Sequence, residues 1–184
     1  MLLARDKSQL LIIDVQDKLL AAMSGQDRLL ERCVRLVRAA NVLGVPVTVS
    51  EQYPAGLGSV AEPIREALGN AGPILDKIEF SCLRNEALRD RLHDIRRRGR
   101  PQIVIGGIET HVCVTQTAID LEEQGFEAYV VADAVASRSK TSRRLALARL
   151  TKAGADVVDS EMVIFEWLER AGTPAFKELQ ALLK

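Results

Sequence analysis

The sequence predicts an α/β fold in which a parallel sheet is covered by helices on both faces. Short β-branched and apolar runs alternate with longer stretches whose apolar residues recur every three or four positions. The short runs contain few polar residues, as is typical of strands buried on both faces. We therefore expect about six parallel strands in a doubly wound sheet, in a single domain spanning residues 1–184.

The bounds of the strands and helices are predicted from the spacing of apolar residues and from residues that commonly end helices. Gly44 and Gly125 each follow an amphipathic stretch, and glycine commonly ends a helix in the left-handed conformation. The strands are expected at residues 9–15, 45–49, 73–77, 102–108, 127–132 and 156–158. The helices are expected at residues 27–43, 60–68, 85–98, 110–124 and 141–152, followed by a C-terminal helix and a tail containing Pro174.

The composition of the chain argues against several classes of function. Lys plus Arg number 25 and Asp plus Glu number 25, so the chain lacks the basic surplus that a nucleic-acid partner needs. The dense basic run Arg96–Arg100 ends a helical stretch, and a helix cap with Gly99 just past the end is favoured over a phosphate site. No apolar run approaches the ~18 residues of a membrane span. The N-terminus lacks a secretory pattern, and three cysteines make a disulfide framework unfavourable, so we expect a cytoplasmic protein.

Three reactive side chains follow three different strands. In open parallel sheets, ligands bind beyond the carboxyl ends of the strands. Asp14 ends the first strand, Lys77 ends the third, and Cys113 follows the fourth. A carboxylate, an ammonium and a thiol are therefore expected at one edge of the sheet.

Those three groups suit acyl transfer. Cys113 lies three residues after Thr110, in the first turn of a helix, where N–H groups and the dipole favour a thiolate and can bind an oxyanion. Asp14 can accept the thiol proton and later give it to a leaving amine, while Lys77 keeps Asp14 ionised. The expected reaction proceeds through a thioester. Each residue alone also has a plain structural reading, because a lone cysteine in a helix is more often core.

The other two cysteines are interpreted as structural. Cys33 lies in the apolar stripe of a helix, and Cys82 lies in a loop after the third strand.

At these residues the chain resembles the isochorismatase-like cysteine hydrolases, a superfamily that includes nicotinamidases. The opening strand with Asp14 and Gln16, the segment around Lys77 and the segment leading to Cys113 all match. Residues 131–134, 137–138 and 160–161 also fit. Residues 51–58 resemble the branch called isochorismatase domain-containing proteins.

The resemblance implies structural details that spacing alone does not. It implies a three-layer α/β/α fold with strand order 3-2-1-4-5-6 and a non-proline cis peptide between Ile108 and Glu109. It also implies an oxyanion hole formed by the backbone N–H groups of Glu109 and Cys113. Relatives commonly form oligomers, and Trp167 is expected at the surface, so a homo-oligomer is expected.

Departures from the family pattern narrow the chemistry further. Nicotinamidases hold a metal through histidines after the second strand, whereas this chain has only His93 and His111. We therefore expect no metal and no cofactor, which makes nicotinamide hydrolysis doubtful. Isochorismatases proper need no thiol, so Cys113 favours amide-type C–N bonds of a small molecule. The expected pocket residues are Gln16, Tyr53, Phe80, Ile108 and Thr110.

Two alternatives differ in kind from an enzyme of this type. The first is a scaffold or binding subunit that keeps the three residues without turnover. The second is an NAD(P)-binding protein, which residues 106–109 disfavour because they lack the G-x-G-x-x-G spacing.

Overall fold

A computed structural model describes residues 1–183 and contains a six-stranded, all-parallel sheet. The order β3-β2-β1-β4-β5-β6 confirms the predicted one. The strands are β1 (Ser8–Ile13), β2 (Val47–Gln52), β3 (Ile74–Lys77), β4 (Gln102–Ile108), β5 (Glu127–Ala136) and β6 (Asp156–Val158).

Helices cover both faces of this sheet. They are α1 (Asp17–Leu20), α2 (Gln26–Leu43), α3 (Pro54–Leu57), α4 (Glu62–Leu68), α5 (Glu86–Arg97), α6 (Thr115–Glu123), α7 (Lys140–Lys152), α8 (Ser160–Leu168) and α9 (Pro174–Leu183). The core cluster on one face includes α2, α4, α8 and α9, and the cluster on the other includes α5, α6 and α7. In β1, Leu10 and Ile12 join the first cluster and Leu11 and Ile13 the second, because side chains alternate along a strand.

Several boundaries differ from the predicted ones. β1 ends at Ile13 because Asp14 adopts a left-handed backbone conformation (φ 54°) that leaves the sheet. β5 continues to Ala136, because its last residues pair with Gly107 and Ile108 after a register shift in β4. The helix expected over 110–124 begins instead as a π-helical turn, Thr110–Val114, before α6. The tail containing Pro174 is α9, with Pro174 at the first helical position, where its missing N–H has no cost.

Trp167 corrects one surface prediction. Its side chain is fully buried, and its Nε1–H donates to Ser8 Oγ at 2.9 Å. It therefore joins α8 to the start of β1 and offers nothing to a partner.

The basic run after α5 acts as the predicted cap. Gly99 has φ 89°, just past the end of the helix. Arg96 donates to the carbonyl of Gln124 at 2.7 Å and lies 4.6 Å from the ring centre of Phe126. These contacts fix the end of α5 against the turn before β5.

Within residues 1–183, no helix is both long and apolar enough to cross a bilayer.

Candidate active site

The register of the sheet sets the predicted residues side by side. Ile13 pairs with Ser50 of β2 and with Gly107 of β4, while Lys77 of β3 pairs with Gln52. Asp14 follows Ile13 directly, so the polar residues at these strand ends share the carboxyl edge of the sheet. Neighbouring strands lie ~4.8 Å apart, which brings side chains from three strands within contact distance.

Asp14 and Lys77 form a buried ion pair. Lys77 Nζ lies 2.6 Å from Asp14 Oδ2, and neither side chain has any exposure to solvent. Lys77 Nζ also donates to Gln52 Oε1 at 2.5 Å and to the carbonyl of Glu79 at 3.2 Å. All three N–H groups of the ammonium therefore have acceptors within the protein.

Opposing effects act on the pKa of Lys77. Burial disfavours the ammonium, but the negative charge of Asp14 favours it, and ionisation of Cys82 or Cys113 would add to that effect. Together these interactions outweigh burial and raise the pKa of Lys77. Lys77 is thus a permanent positive charge beside Asp14 at neutral pH.

Cys113 lies in the π-helical turn after β4 and is 6% exposed. Burial raises the pKa of its thiol, and the negative charge of Asp14 raises it further, against the lowering effect of Lys77. The helix N-terminus was expected to favour the thiolate, but the pKa is raised, so the thiol is protonated at neutral pH and needs a proton acceptor. The charges of Asp14 and Lys77 both act on the thiol, so the sulfur lies near the buried ion pair.

Ser50 and Cys82 belong to this site although their role was not predicted. Ser50 Oγ donates to Asp14 Oδ1 at 2.7 Å, and both residues are fully buried. Cys82 Sγ lies 3.8 Å from Ser50 Oγ. The one available signal was a serine near the end of the apolar run of β2, a position comparable to that of Asp14 after β1.

Cys33 fulfils its predicted structural role. It is fully buried in α2, and its thiol donates to the carbonyl of Ala134 at 3.4 Å. Burial, and secondarily the charge of Asp133, raise its pKa to about 12.

The expected substrate residues differ widely in their exposure to solvent. Ile108 is fully buried in the core under α2, so its side chain lines no open cavity. Tyr53 and Phe80 are 55% and 54% exposed. Thr110 is buried, and its Oγ1 has no hydrogen-bond partner within residues 1–183.

Gln16 holds a loop instead of offering its amide to a ligand. Its Nε2 donates to the carbonyls of Gln52 and Gly58 at 3.0 and 2.6 Å, and its Oε1 accepts the N–H of Gln52 at 2.8 Å. Both amide hydrogens are used, so the expected substrate contact is replaced by a structural one.

The same loop explains part of the 51–58 motif. A Cβ on Gly56 would lie 2.3 Å from the ring of Tyr53, so a larger residue there would displace the ring. Glu51 Oε1 accepts the N–H of Val60 at 2.6 Å. The motif thus holds the loop beside the end of β3.

The peptide bond between Ile108 and Glu109 is cis. The Glu109 carboxylate accepts the backbone N–H of Arg138 at 3.0 Å and its Nε–H at 3.1 Å. His111 Nδ1 lies 3.0 Å from Ser137 Oγ. The turn that carries Cys113 is thereby tied to the end of β5 at two points.

Side chains able to bind a metal do not cluster within residues 1–183. Within the described part of the chain, no three or more His, Cys, Asp or Glu side chains converge as a metal site would require.

Comparison with known proteins identifies the family. A model of the isochorismatase domain matches residues 8–162. Isochorismatase domain-containing protein 1 of Danio rerio is 39% identical over 171 residues, covering 93% of this chain and 59% of that protein. Isochorismatase domain-containing protein 2 of the same species is 37% identical over 178 residues, covering 96% and 86%. The chain thus spans 59% of the length of the first relative.

Solved structures agree on the fold. The MAR1 ribonuclease of Caenorhabditis elegans has a TM-score of 0.92 and 36% identity, covering 100% of this chain and 92% of that one. YcaC of Escherichia coli, described as an octameric hydrolase of unknown specificity, has a TM-score of 0.90 at 22% identity, covering 99% and 90%. The resemblance stated from the motifs is confirmed. The chain belongs to the isochorismatase domain family.

Proposed function

We propose that this chain is a metal-independent cysteine hydrolase that cleaves a C–N bond of a small amide-type substrate, with Cys113, Asp14 and Lys77 as its catalytic residues. The observation that carries the proposal is the buried Asp14–Lys77 pair, 2.6 Å apart, whose charges act on the Cys113 thiol. A carboxylate held ionised beside a protonated thiol is a general base in position.

In the proposed first half-reaction, Cys113 Sγ attacks the substrate carbonyl carbon as its proton passes to Asp14. The carbonyl oxygen becomes an oxyanion, which the backbone N–H groups of Glu109 and Cys113 bind. The C–N bond then breaks, Asp14 returns the proton to the leaving nitrogen, and a thioester remains on Cys113.

In the second half-reaction, water attacks the thioester and gives a proton to Asp14. The tetrahedral species expels Cys113 as the thiolate, which recovers that proton, and the acid product leaves. Lys77 stays charged throughout. It has acceptors for all its N–H groups, so its contribution is electrostatic.

The test combines a substrate screen with a labelling profile. Small primary amides, ureas and carbamoyl compounds are incubated with the wild-type protein, and we expect turnover that Cys113→Ala and Cys113→Ser abolish. Asp14→Asn should lose several orders of magnitude in rate, because the proton acceptor is gone. Cys33→Ser, which changes a buried thiol on the other side of the sheet, should keep full turnover.

Labelling of Cys113 by iodoacetamide tests the base without knowledge of the substrate. If Asp14 accepts the proton of the thiol, the labelling rate should level off near neutral pH. If no base assists the thiol, its raised pKa means that the labelling rate should rise tenfold with each pH unit through pH 9 to 10. The second profile, together with no turnover in the screen, would support the scaffold alternative.

The name of one neighbour makes RNA cleavage a second candidate. The MAR1 ribonuclease covers this whole chain at 36% identity. The balanced charge of 25 basic and 25 acidic residues argues against RNA, because backbone binding needs a basic surplus. Incubation with single-stranded RNA decides: cleavage that Cys113→Ala abolishes would replace the amide proposal.

Two further properties belong to the proposal. We place the protein in the cytoplasm, where its three free cysteines stay reduced. We also propose a homo-oligomer, for which the octameric YcaC is the precedent in this fold. Exposed apolar side chains such as Leu2 and Phe165 suit a subunit contact.

A further inference from the structure

A buried hydrogen-bond chain lies behind Asp14, outside the three residues of the proposed mechanism. Ser50 touches Asp14 twice: its Oγ–H donates to Asp14 Oδ1 at 2.7 Å, and its carbonyl accepts the Asp14 N–H at 3.1 Å. Lys77 occupies the other carboxylate oxygen. The plane of the carboxylate is therefore held from both sides.

Cys82 determines where the Ser50 hydroxyl points. Its Sγ lies 3.8 Å from Ser50 Oγ, and its own N–H donates to Thr117 Oγ1 at 3.0 Å. Burial is the largest cause that raises the pKa of Cys82, to about 11, so it is a neutral S–H donor at neutral pH. Because Ser50 Oγ accepts from Cys82, its single proton is directed to Asp14.

We propose that Ser50 is a positioning residue that holds Asp14 as the proton acceptor of Cys113, and that Cys82 orients the Ser50 hydroxyl. This inference rests on the proposed function, in which Asp14 is the base. A hydroxyl donor stabilises the ionised carboxylate, and hydrogen bonds to charged groups are about twice as strong as neutral ones. Without Ser50 Oγ, the carboxylate keeps the Lys77 donor on Oδ2 but loses the donor on Oδ1 that stabilises its ionised form.

The experiment measures the rate of Cys113 alkylation by iodoacetamide from pH 3.5 to 8.5, read on the Cys113 peptide by mass spectrometry. The acid limb of this profile reports protonation of the group that accepts the thiol proton, which the proposal assigns to Asp14. Ser50→Ala should move its midpoint up by about one pH unit. Ser50→Thr, which keeps a hydroxyl, should restore the wild-type midpoint.

Thr48 offers a matched control on the same strand. It lies two residues before Ser50, on the same face of β2, is fully buried, and its Oγ1 has no partner within the described residues. Thr48→Val removes a buried hydroxyl and should leave the acid limb unchanged. A merely structural loss at Ser50 would lower the melting temperature without moving the limb.

Each outcome has a separate meaning. A wild-type rate that rises tenfold per pH unit across the whole range, with no plateau, overturns the proposed function and this inference with it. A wild-type limb that stays in place in Ser50→Ala overturns the inference alone. If Ser50→Ala does not fold, Cys82→Ala is measured instead, since it leaves Ser50 in place. We expect it to move the midpoint of the acid limb upward by a smaller amount. An unmoved limb would show that Cys82 does not orient Ser50 and, with no folded Ser50 variant, would overturn the proposal.

Discussion

In the proposed mechanism, Lys77 acts on Asp14 through its charge and does not touch the substrate. Its ammonium donates to Asp14, Gln52 and the Glu79 carbonyl, and its side chain is fully buried. Taking a charge out of water costs several kcal/mol unless a partner compensates it. Asp14 and Lys77 therefore depend on each other for stability as well as for chemistry.

This mutual dependence predicts the effect of Lys77→Met. The variant leaves the Asp14 carboxylate buried without a counter-ion, so the free energy of unfolding at pH 7 should fall by about 3–5 kcal/mol. The double variant Asp14→Asn, Lys77→Met should regain most of that loss, because no charge remains to be buried. Guanidinium unfolding followed by circular dichroism measures all three proteins.

An exposed ion pair supplies the control. Arg84 pairs with Asp120 at 3.0 Å, but the Arg84 side chain is 66% exposed. Arg84→Met should cost under about 1 kcal/mol, as surface pairs do. Similar losses for Arg84→Met and Lys77→Met would contradict the buried-pair argument.

At the scale of elements, the close approach of β4 to β1 positions the turn that carries Cys113. Gly107 has φ 120°, and a Cβ there would lie 2.1 Å from the carbonyl oxygen of Ile13. Ile13 directly precedes Asp14, and Gly107 lies two residues before Glu109. Glycine at this position thus lets the two strand ends approach each other.

We expect Gly107→Ala to lower the free energy of unfolding by about 3 kcal/mol or more, since it adds a backbone clash to an unfavourable φ. Gly44→Ala is the comparison: its φ is 68°, and nothing lies within 4 Å of a new Cβ. That variant carries only the backbone cost of about 1–2 kcal/mol. Equal losses measured by chemical unfolding would show that crowding at Ile13 is unimportant.

The helices and strands were largely predictable from the sequence, because each type has its own spacing of apolar residues. The order of the strands in the sheet was predicted only from the resemblance to the isochorismatase-like family. Spacing could not reveal the π-helical turn at Cys113, because one extra residue in a turn leaves no compositional mark. Asp14 was predicted inside β1 because a left-handed residue after an apolar run has the sequence of a continuing strand.

The site was predictable to a similar degree. Asp14, Lys77 and Cys113 stand out as polar or reactive groups after apolar strands. Ser50 does not stand out in the sequence, since serine is common at strand ends. Its contact with Asp14 becomes visible only from the register of β1 and β2. The burial of Ile108 and the exposure of Tyr53 could not be predicted, because they depend on tertiary packing.

At the scale of the whole molecule, the core holds buried thiols that resist ionisation. The pKa of Cys33 is raised from 9.0 to about 12 by burial first and by Asp133 second. In the unfolded chain the same thiol ionises near its ordinary value. Between those pH values the folded state keeps a proton that the unfolded state loses, so stability falls as pH rises.

Cys33→Ser isolates this effect, because serine does not ionise in this range. Wild-type stability should fall more steeply than that of the variant from pH 8 to pH 10.5, by about 2 kcal/mol in total. The advantage of wild type over Cys33→Ser should therefore shrink on going to alkaline pH. Guanidinium unfolding at the two pH values, with a phosphine reductant to keep thiols free, measures this.

Val37→Ala separates ionisation from simple core damage. Val37 is fully buried in the same helix, so its truncation destabilises the core without removing a titrating group. Its deficit relative to wild type should be equal at pH 8 and pH 10.5. If the deficit of Cys33→Ser is equally constant, the thiol ionises as readily in the folded protein as in the unfolded chain, and burial does not control its proton.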